Sequence, residues 1–177
     1  MTDPVRAFEP IRTERLLLRE PRLEDAAPLM AVFGDPEAMR YIGDGNVRTL
    51  EQIQESMAKR IALLEARGHT MWTVQHLSSG EVLGDCGIIP IAWKGPEIEL
   101  GYRFRPSAWG RGYATEASRA ALTHFRSLGT GIDPIAVTDT RNDASGKVLQ
   151  KIGFVFAGRT DAYYGETLHL YRLSDDA

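Results

Sequence analysis

The stretch Pro106–Ser118, PSAWGRGYATEAS, places the strongest local constraint on the fold. Gly110 and Gly112 stand directly ahead of a run in which Ala117 and Ala121 begin the apolar face of a helix. A glycine turn that leads into a helix directs backbone N–H groups toward one point, and the helix dipole favours negative charge there. The stretch therefore predicts an anion site at the start of a helix, against the alternative of a plain strand-to-helix turn.

Two common nucleotide-binding loops do not fit this stretch. A dinucleotide-binding loop has a third glycine three residues after the second, and that position is Thr115 here. A Walker loop ends in Gly-Lys followed by Ser or Thr, and the chain has no such sequence. The interpretation that remains is a different pyrophosphate carrier.

The sequence on both sides of the glycine turn predicts a mixed α/β sheet. Residues 49–68 have helical apolar spacing, with Thr49 and Gln52 at capping-box spacing and Gly68 as the stop. Alternating runs bounded by turn residues predict strands. We expect strands at 15–21, 69–77, 81–91, 97–106, 134–139, 154–162 and 168–174, and helices at 23–35, 49–68, 115–129 and 142–153. At 177 residues we expect one domain, 1–177.

Composition excludes several classes of protein. A net charge of −3 gives no basic field for nucleic acid. The one cysteine, Cys86, excludes an intramolecular disulfide, and its apolar run predicts a buried structural thiol. The four histidines show no ligand spacing, so we expect no metal. Residues 1–10 do not have the apolar core of a signal peptide, and no apolar run approaches the ~20 residues of a spanning helix. We therefore expect a cytoplasmic protein that does not bind membranes.

Two motifs resemble one family. The segment Trp109–Ala114 resembles the Gln/Arg-x-x-Gly-x-Gly/Ala loop of the GNAT acyl-CoA N-acyltransferases, with Trp109 in the Gln/Arg position. The segment 142–154, NDASGKVLQKIGF, is similar to the Asn-x-x-Ser and Lys-x-Gly-Phe motif of the Rim-type ribosomal-protein N-terminal acetyltransferases. The resemblance runs from IRTERLLLRE to LHLYRLS. It implies the GNAT fold, a mostly antiparallel mixed sheet flanked by helices with a core at about 11–174, and acetyl-CoA as cosubstrate.

The resemblance also implies a cofactor site. Backbone amides of 111–115 would hold the pyrophosphate, and the main chain of 102–105 would pair with the pantetheine arm. Asn142, a predicted helix N-cap, would also bond that arm. The implied cofactor-binding residues are Tyr102, Arg103, Phe104, Arg105, Trp109, Gly110, Arg111, Gly112, Tyr113, Ala114, Thr115, Asn142 and Ser145.

Two residues are predicted to be catalytic by the same resemblance. Glu99, with Glu97 as the second choice, matches the strand position of a glutamate general base, and a partly buried carboxylate has a raised pKa that suits this role. Ser145 matches a serine placed near the sulfur of CoA. Many relatives use a tyrosine as general acid at the position of Leu149, so a phenol is absent from that position. The alternatives are an ordinary solvated or structural carboxylate and an ordinary helix-start serine.

The sequence does not identify the acceptor amine. The implied function is an acetyl-CoA-dependent N-acetyltransferase acting on a primary amine, either a protein N-terminal α-amine or a small molecule such as an antibiotic, polyamine or amino acid. A non-catalytic acyl-CoA-binding module is the alternative from another class. The acceptor site would be walled by 35–68 and 160–166, which carry no readable recognition code. Either a monomer or a homodimer is compatible with the sequence.

Overall fold

The computed structural model describes residues 8–174. Residues 1–7, which include most of the segment read for a signal peptide, lie outside the described residues. The strands are β1 Ile11–Arg12, β2 Leu16–Arg19, β3 Met71–His76, β4 Val82–Pro90, β5 Ile98–Phe104, β6 Ile135–Asp139, β7 Phe154–Thr160 and β8 Leu168–Leu173. The helices are α1 Ala26–Phe33, α2 Pro36–Met39, α3 Leu50–Arg67, α4 Tyr113–Ser127 and α5 Asp143–Lys151.

The strands form one mixed sheet in the order β1-β2-β3-β4-β5-β6-β8-β7. Within residues 8–174, β5 and β6 are the one parallel pair of neighbours, and the other neighbours are antiparallel. β5 pairs with β4 from end to end, whereas it is in register with β6 at one pair of residues, Glu99 opposite Ile135. The sheet is therefore continuous but diverges between β5 and β6.

The helix α3 forms where the sequence predicts it. Thr49 accepts a hydrogen bond from the N–H of Gln52, and the Gln52 side chain accepts from the N–H of Thr49, which completes a capping box. Gly68 ends the helix with a left-handed φ of 75°. Its apolar face packs with α1 and α2 in a core of Ala26, Leu29, Val32, Phe33, Ala38, Met39, Ile53 and Met57.

The second core lies between the sheet and helices α4 and α5. The buried face of α4 carries Ala117, Ala121 and Phe125, as its spacing predicts. Leu149 of α5 joins the same core. Cys86 has no exposed surface, so the predicted structural thiol is confirmed, and burial raises its pKa to about 12.

The predicted α/β class and the mixed, mostly antiparallel sheet are confirmed, with two short elements missed. β1 has two residues and pairs with β2, and α2 has four residues after the N-cap Asp35. Elements this short carry too few residues for a periodic pattern to show. α4 also begins at Tyr113, two residues before the predicted start. No helix in the described part of the chain is long and apolar enough to cross a membrane.

Two glycines give a matched test of how closely β4 and β5 approach. A Cβ added to Gly84 would lie 1.9 Å from the carbonyl oxygen of Arg103, whereas one added to Gly101 would meet only the Met71 side chain at 3.7 Å. We predict that Gly84→Ala lowers the free energy of unfolding by about 1–3 kcal/mol, and that Gly101→Ala stays within about 1 kcal/mol of the parent. Urea denaturation measures both. Equal midpoints for the two variants would contradict this packing.

Candidate functional site

A cavity of about 520 Å³ opens between the end of β5, the loop after it, and the first turns of α4 and α5. Its volume lies in the range of small-molecule sites, roughly 300–1,000 Å³. Of the residues predicted for the site, Glu99, Arg105 and Arg111 do not line this cavity. The predicted residues that do line it are Tyr102, Arg103, Phe104, Trp109, Gly110, Gly112, Tyr113, Ala114, Thr115, Asn142 and Ser145.

The main chain of β5 presents only some of its groups to this cavity. The N–H of Arg105 donates to the carbonyl of Leu83 across a distance of 2.9 Å. Because main-chain groups alternate between the two edges of an antiparallel strand, those of Arg103 and Arg105 are turned toward β4. Tyr102 and Phe104 are turned toward the edge that diverges from β6. Of the main chain at 102–105, which was predicted to pair with the pantetheine arm, only that of Tyr102 and Phe104 is turned toward the cavity.

Trp109 forms a hydrogen bond with one of the main-chain groups on this edge of β5. Its indole N–H donates to the carbonyl oxygen of Phe104 at 2.8 Å, although nearly half of the side chain is exposed. Trp109 therefore fastens the loop to the end of β5. The N–H and C=O of Tyr102 and the N–H of Phe104 remain on the edge that faces the cavity.

The glycine turn prepares the start of α4 for an anion. Gly110 and Gly112 have left-handed φ values of 71° and 79°, which suit glycine far better than other residues. Gly112 is the N-cap of α4 and provides no side-chain cap. Within residues 8–174 the N–H groups of Tyr113, Ala114 and Thr115 have no hydrogen-bond acceptor. These free donors and the helix dipole make the turn a favourable place for negative charge.

Arg15 holds the turn from behind. Its Nη1 donates to the carbonyl of Arg111 at 2.8 Å, and its Nη2 lies 2.7 Å from a carboxylate oxygen of Glu116. Thr13 donates to the same carboxylate at 2.6 Å. The turn between β1 and β2 therefore fixes the first turn of α4, and a Cβ at Gly112 would lie 3.4 Å from Nη2 of Arg15.

The start of α5, at Asn142 and Ser145, contacts the phenol of Tyr102. The Asn142 side chain accepts from the N–H of Ser145, so the predicted N-cap of α5 is confirmed. The Tyr102 hydroxyl lies 2.8 Å from Oγ of Ser145 and donates to the Ser145 carbonyl at 2.9 Å. Burial raises the pKa of Tyr102, and the hydrogen bond with Ser145 offsets this only in part, so the phenol stays neutral. Leu149 is buried, and the phenol of the site comes from β5 instead.

Glu99 is buried on the other side of β5. The hydroxyl of Tyr164 donates to its carboxylate and accepts from the N–H of Ala92 at 3.1 Å. Burial raises the pKa of Glu99, while the Tyr164 hydrogen bond and the positive charge of Arg103 oppose the rise. The runner-up, Glu97, is exposed and precedes the strand. Of the two carboxylates, Glu99 has the environment that a base working near neutrality needs.

Tyr164 and the Tyr102 phenol are the functional groups that sequence reasoning missed. The hairpin that carries Tyr164 was predicted as an acceptor wall, without a role for any side chain. Tyr164 lies 65 positions from Glu99, so no spacing rule connects them. Tyr102 was predicted for its main chain alone, and its hydroxyl meets Ser145 across 43 positions. The alternation of β5 places the Tyr102 side chain on the face opposite to that of Glu99. This alternation is the one sequence pattern that could have indicated a role for the phenol.

Four charged side chains near the glycine turn and α5 differ in their surroundings. Lys147 and Lys151 line the cavity from α5 and are exposed. Arg105 forms an ion pair with Glu81, and the Arg111 side chain is exposed. In the described part of the chain, no group of three or more His, Cys, Asp or Glu residues is placed to hold a metal ion.

Comparison with known proteins agrees with this geometry. The family model described as an acetyltransferase (GNAT) domain matches residues 15–155. The chain is 31% identical to an uncharacterized N-acetyltransferase, YoaA of Bacillus subtilis (strain 168), over 83% of each chain.

Solved structures share the fold. An acetyltransferase from Agrobacterium tumefaciens str. C58 superposes with a TM-score of 0.79 at 25% identity, over 99% of each chain. The ribosomal L7/L12 α-N-protein acetyltransferase RimL, in a complex with coenzyme A, superposes with a TM-score of 0.75 at 21% identity, over 96% of this chain and all of that one. The match to the family model covers most of the sequence, and the chain therefore belongs to the GNAT family of acetyltransferases.

Proposed function

We propose that this protein transfers an acetyl group from acetyl-CoA to a primary amine. The observation that carries the proposal is the cavity that joins the open edge of β5 to the free N–H groups at the start of α4. Its size suits a cofactor, and a Cβ added to Gly110 would meet no atom within 4 Å, which leaves space for a ligand against the backbone. The RimL complex with coenzyme A supports the same cosubstrate.

Different residues of the cavity would bind different parts of acetyl-CoA. The N–H groups of Tyr113, Ala114 and Thr115 would hold the pyrophosphate, and Lys147 and Lys151 would add positive charge along the wall. The free main-chain groups of β5 would pair with the amide groups of the pantetheine arm, as an added strand does. Asn142 would contact the same arm from α5.

Glu99 would take the proton of the amine. Bound acetyl-CoA supplies a thioester carbonyl for the amine nitrogen to attack and a thiolate that leaves when the C–S bond breaks. The raised pKa of Glu99 matches a base working near neutral pH. Tyr164 would orient this carboxylate through its hydroxyl, which the N–H of Ala92 holds in place.

Ser145 would donate a hydrogen bond to the leaving sulfur. Its Oγ lies 2.8 Å from the Tyr102 hydroxyl, and Tyr102 would hold Ser145 in position because that hydroxyl also donates to the Ser145 carbonyl. A thiol has a pKa near 8.5, by analogy with cysteine, so the leaving group needs modest help. The serine–phenol pair replaces the helix tyrosine that many relatives use.

Two kinds of amine are candidates for the acceptor. A protein N-terminus is supported by the fold shared with RimL, and a small amine is the alternative. A non-catalytic acyl-CoA-binding module would not need the buried Glu99–Tyr164 contact.

We also propose one domain with its core at about 11–174, as a monomer or homodimer. The one thiol, Cys86, is buried and unpaired, which suits a reducing compartment such as the cytoplasm.

A panel of amines with acetyl-CoA, read as free thiol release, tests the function. We expect release that depends on one class of amine. An absence of release over the whole panel, in protein that binds acetyl-CoA by calorimetry, would support the binding module instead.

Gly112→Val should weaken acetyl-CoA binding at least about tenfold, which corresponds to the loss of one hydrogen bond to a charged group, about 1.5 kcal/mol. A branched side chain at a φ of 79° strains the turn that presents the amides. Gly129→Val is the matched control, because Gly129 also has a positive φ, 66°, but does not line the cavity. Calorimetry that gives the same affinity for folded Gly112→Val and for the parent would contradict the proposed phosphate site.

Glu99→Gln should lower kcat at neutral pH by about 10²–10⁴-fold and leave acetyl-CoA affinity unchanged, because it removes the proposed base. Full activity of this variant across the pH range would show that the base lies elsewhere.

Tyr164→Phe should move the acid limb of the pH–rate profile to higher pH. The Tyr164 hydrogen bond lowers the pKa of Glu99, so its loss raises that pKa further. A carboxylate base works only when ionised, so activity would then be lost at a higher pH as the pH falls. Tyr163→Phe is the control, because the neighbouring hydroxyl of Tyr163 interacts with Glu97 more strongly than with Glu99. An unmoved profile would contradict the role of Tyr164.

Asn142→Ala and Ser145→Ala should separate stability from chemistry. Loss of the N-cap should cost about 0.5–2 kcal/mol of stability and weaken acetyl-CoA binding. Ser145→Ala should cost less, because the Tyr102 hydroxyl still donates to the Ser145 carbonyl. Its acetyl-transfer rate should fall roughly tenfold, the value of one hydrogen bond to a charged group. Thermal melts and single-turnover rates measure the two effects. Transfer at the parent rate in Ser145→Ala would remove its role at the sulfur.

A further inference from the structure

A second cavity, of about 250 Å³, lies on the face of β5 that packs toward α1, α2 and α3. Ile42 and Arg103 line both cavities, so the second one adjoins the proposed acetyl-CoA site. Trp93 borders it next to Ala92, the residue whose N–H holds the hydroxyl of Tyr164. Glu99 does not line the second cavity, but it lies on the same face of β5 as Arg103, so an acceptor held by Arg103 could extend along that face toward Glu99.

Arg103 presents a guanidinium edge to this cavity. Its Nε and Nη2 each donate to Asp85 at 2.9 Å, and the ring of Phe33 lies 4.7 Å beneath the guanidinium carbon. Within residues 8–174, Nη1 has no hydrogen-bond partner. The side chain is 22% exposed, so this free edge is fixed in direction by Asp85 and reachable by a ligand. A fixed guanidinium edge is a specific ligand for a carboxylate.

Arg60 adds a buried cation with unmet hydrogen-bonding capacity. Its side chain is 1% exposed, and Nη1 lies 2.8 Å from Asp85 without the geometry of a hydrogen bond. Nε has no partner within the described residues. Burial lowers the pKa of Arg60 to about 10, so it still carries its charge at neutral pH. Two guanidinium groups thus share the one carboxylate of Asp85, so this group of three side chains carries a net charge of +1.

The rim of the cavity does not cancel this charge. Arg48 at the rim is paired with Asp44 at 2.8 Å. Lys59 and Glu55 also line the cavity with opposite charges, and Lys59 forms no ion pair within 4 Å among residues 8–174. These rim charges sum to zero, so they leave the net positive charge of the Arg60–Asp85–Arg103 group in place. The carboxylate of Glu99, which interacts with the charge of Arg103, lies at the other end of the same strand face. A buried charge short of a partner is costly, and a bound anion would remove that cost.

We propose that the acceptor is a small primary amine that also carries a carboxylate. This inference rests on the proposed acetyl transfer and specifies its substrate class. The carboxylate binds the free edge of Arg103, with Arg60 behind it, and the amine points toward Glu99 on the same face of the strand. The ionised Glu99 would take the amine end, so the positive charge of the Arg60–Asp85–Arg103 group is left to match one carboxylate. The same charge disfavours polyamines and other polycations, which would bring like charges together.

The spacing along β5 sets the shape of this acceptor. Glu99 and Arg103 are four residues apart, about 13 Å between Cα atoms at roughly 3.3 Å per residue. Their side chains and two hydrogen bonds take up part of this distance. The remainder is best spanned by an amine and a carboxylate separated by several bonds, as in an ω-amino acid.

A matched series of acceptors tests the inference. Aminohexanoate, aminohexanamide and diaminohexane share one chain and differ in the charge at the far end. With acetyl-CoA and wild-type protein, we expect kcat/KM for the carboxylate to exceed that for the carboxamide at least tenfold, with the diamine poorest. Arg103→Gln should bring the carboxylate-to-carboxamide ratio close to one, whatever its absolute rate. Lys59→Gln should lower this ratio by a smaller factor, and Arg67→Gln, an exposed control on the same helix, should not change it.

The outcomes separate this inference from the function on which it rests. Thiol release with no amine of the series or of a wider panel would overturn acetyl transfer itself. Release at equal kcat/KM with carboxylate and carboxamide, or a preference for the diamine or for a peptide N-terminus, would overturn the anionic acceptor and leave acetyl transfer intact. If Arg103→Gln fails to fold, an unchanged ratio in Lys59→Gln combined with Arg48→Gln overturns the inference.

Discussion

The divergence of β5 from β6 is the constraint on which the site depends. β5 completes its hydrogen bonds with β4 along its whole length but meets β6 at a single pair, Glu99 opposite Ile135. Main-chain groups beyond that pair have no strand partner and border the cavity, where a ligand can take the place of water at them. In this account a ligand with amide groups supplies those partners. The glycine turn and the start of α4 then receive its charged end.

The alternation of β5 assigns different chemistry to its two faces. Tyr102 projects toward α5 and meets Ser145, where the proposed leaving group is protonated. Glu99 and Arg103 project to the opposite face, where Tyr164 and Asp85 fix them. A strand places successive side chains on opposite sides, so one short segment serves both ends of the reaction. In the proposed reaction, the acyl donor and the acceptor would therefore approach the thioester from two sides of the sheet.

Much of the fold could be predicted from the sequence, because long elements show clear periodicity. α3 carries its capping box and its terminal glycine, and the motif around Gly112 lies at the start of α4 as expected. The short elements β1 and α2 were missed because two to four residues do not define a period.

The site was predictable only in part, for a physical reason. Residues with local signals were found, such as Asn142 as a cap. The partners that complete the chemistry come from distant segments: Tyr164 reaches Glu99 from the last hairpin, and Arg60 reaches Asp85 from α3. Tertiary packing alone creates those contacts, and a single sequence holds no pattern for them.

Hydrogen exchange with and without acetyl-CoA measures whether the ligand occupies the open edge of β5 and the start of α4. We expect the ligand to slow exchange at the amides of Tyr102 and Phe104 and at those of residues 112–115. Amides that are already bonded to β4, such as that of Arg105, should change little. Slower exchange confined to another surface, or no change at the first set of amides under saturating acetyl-CoA, would contradict this binding mode.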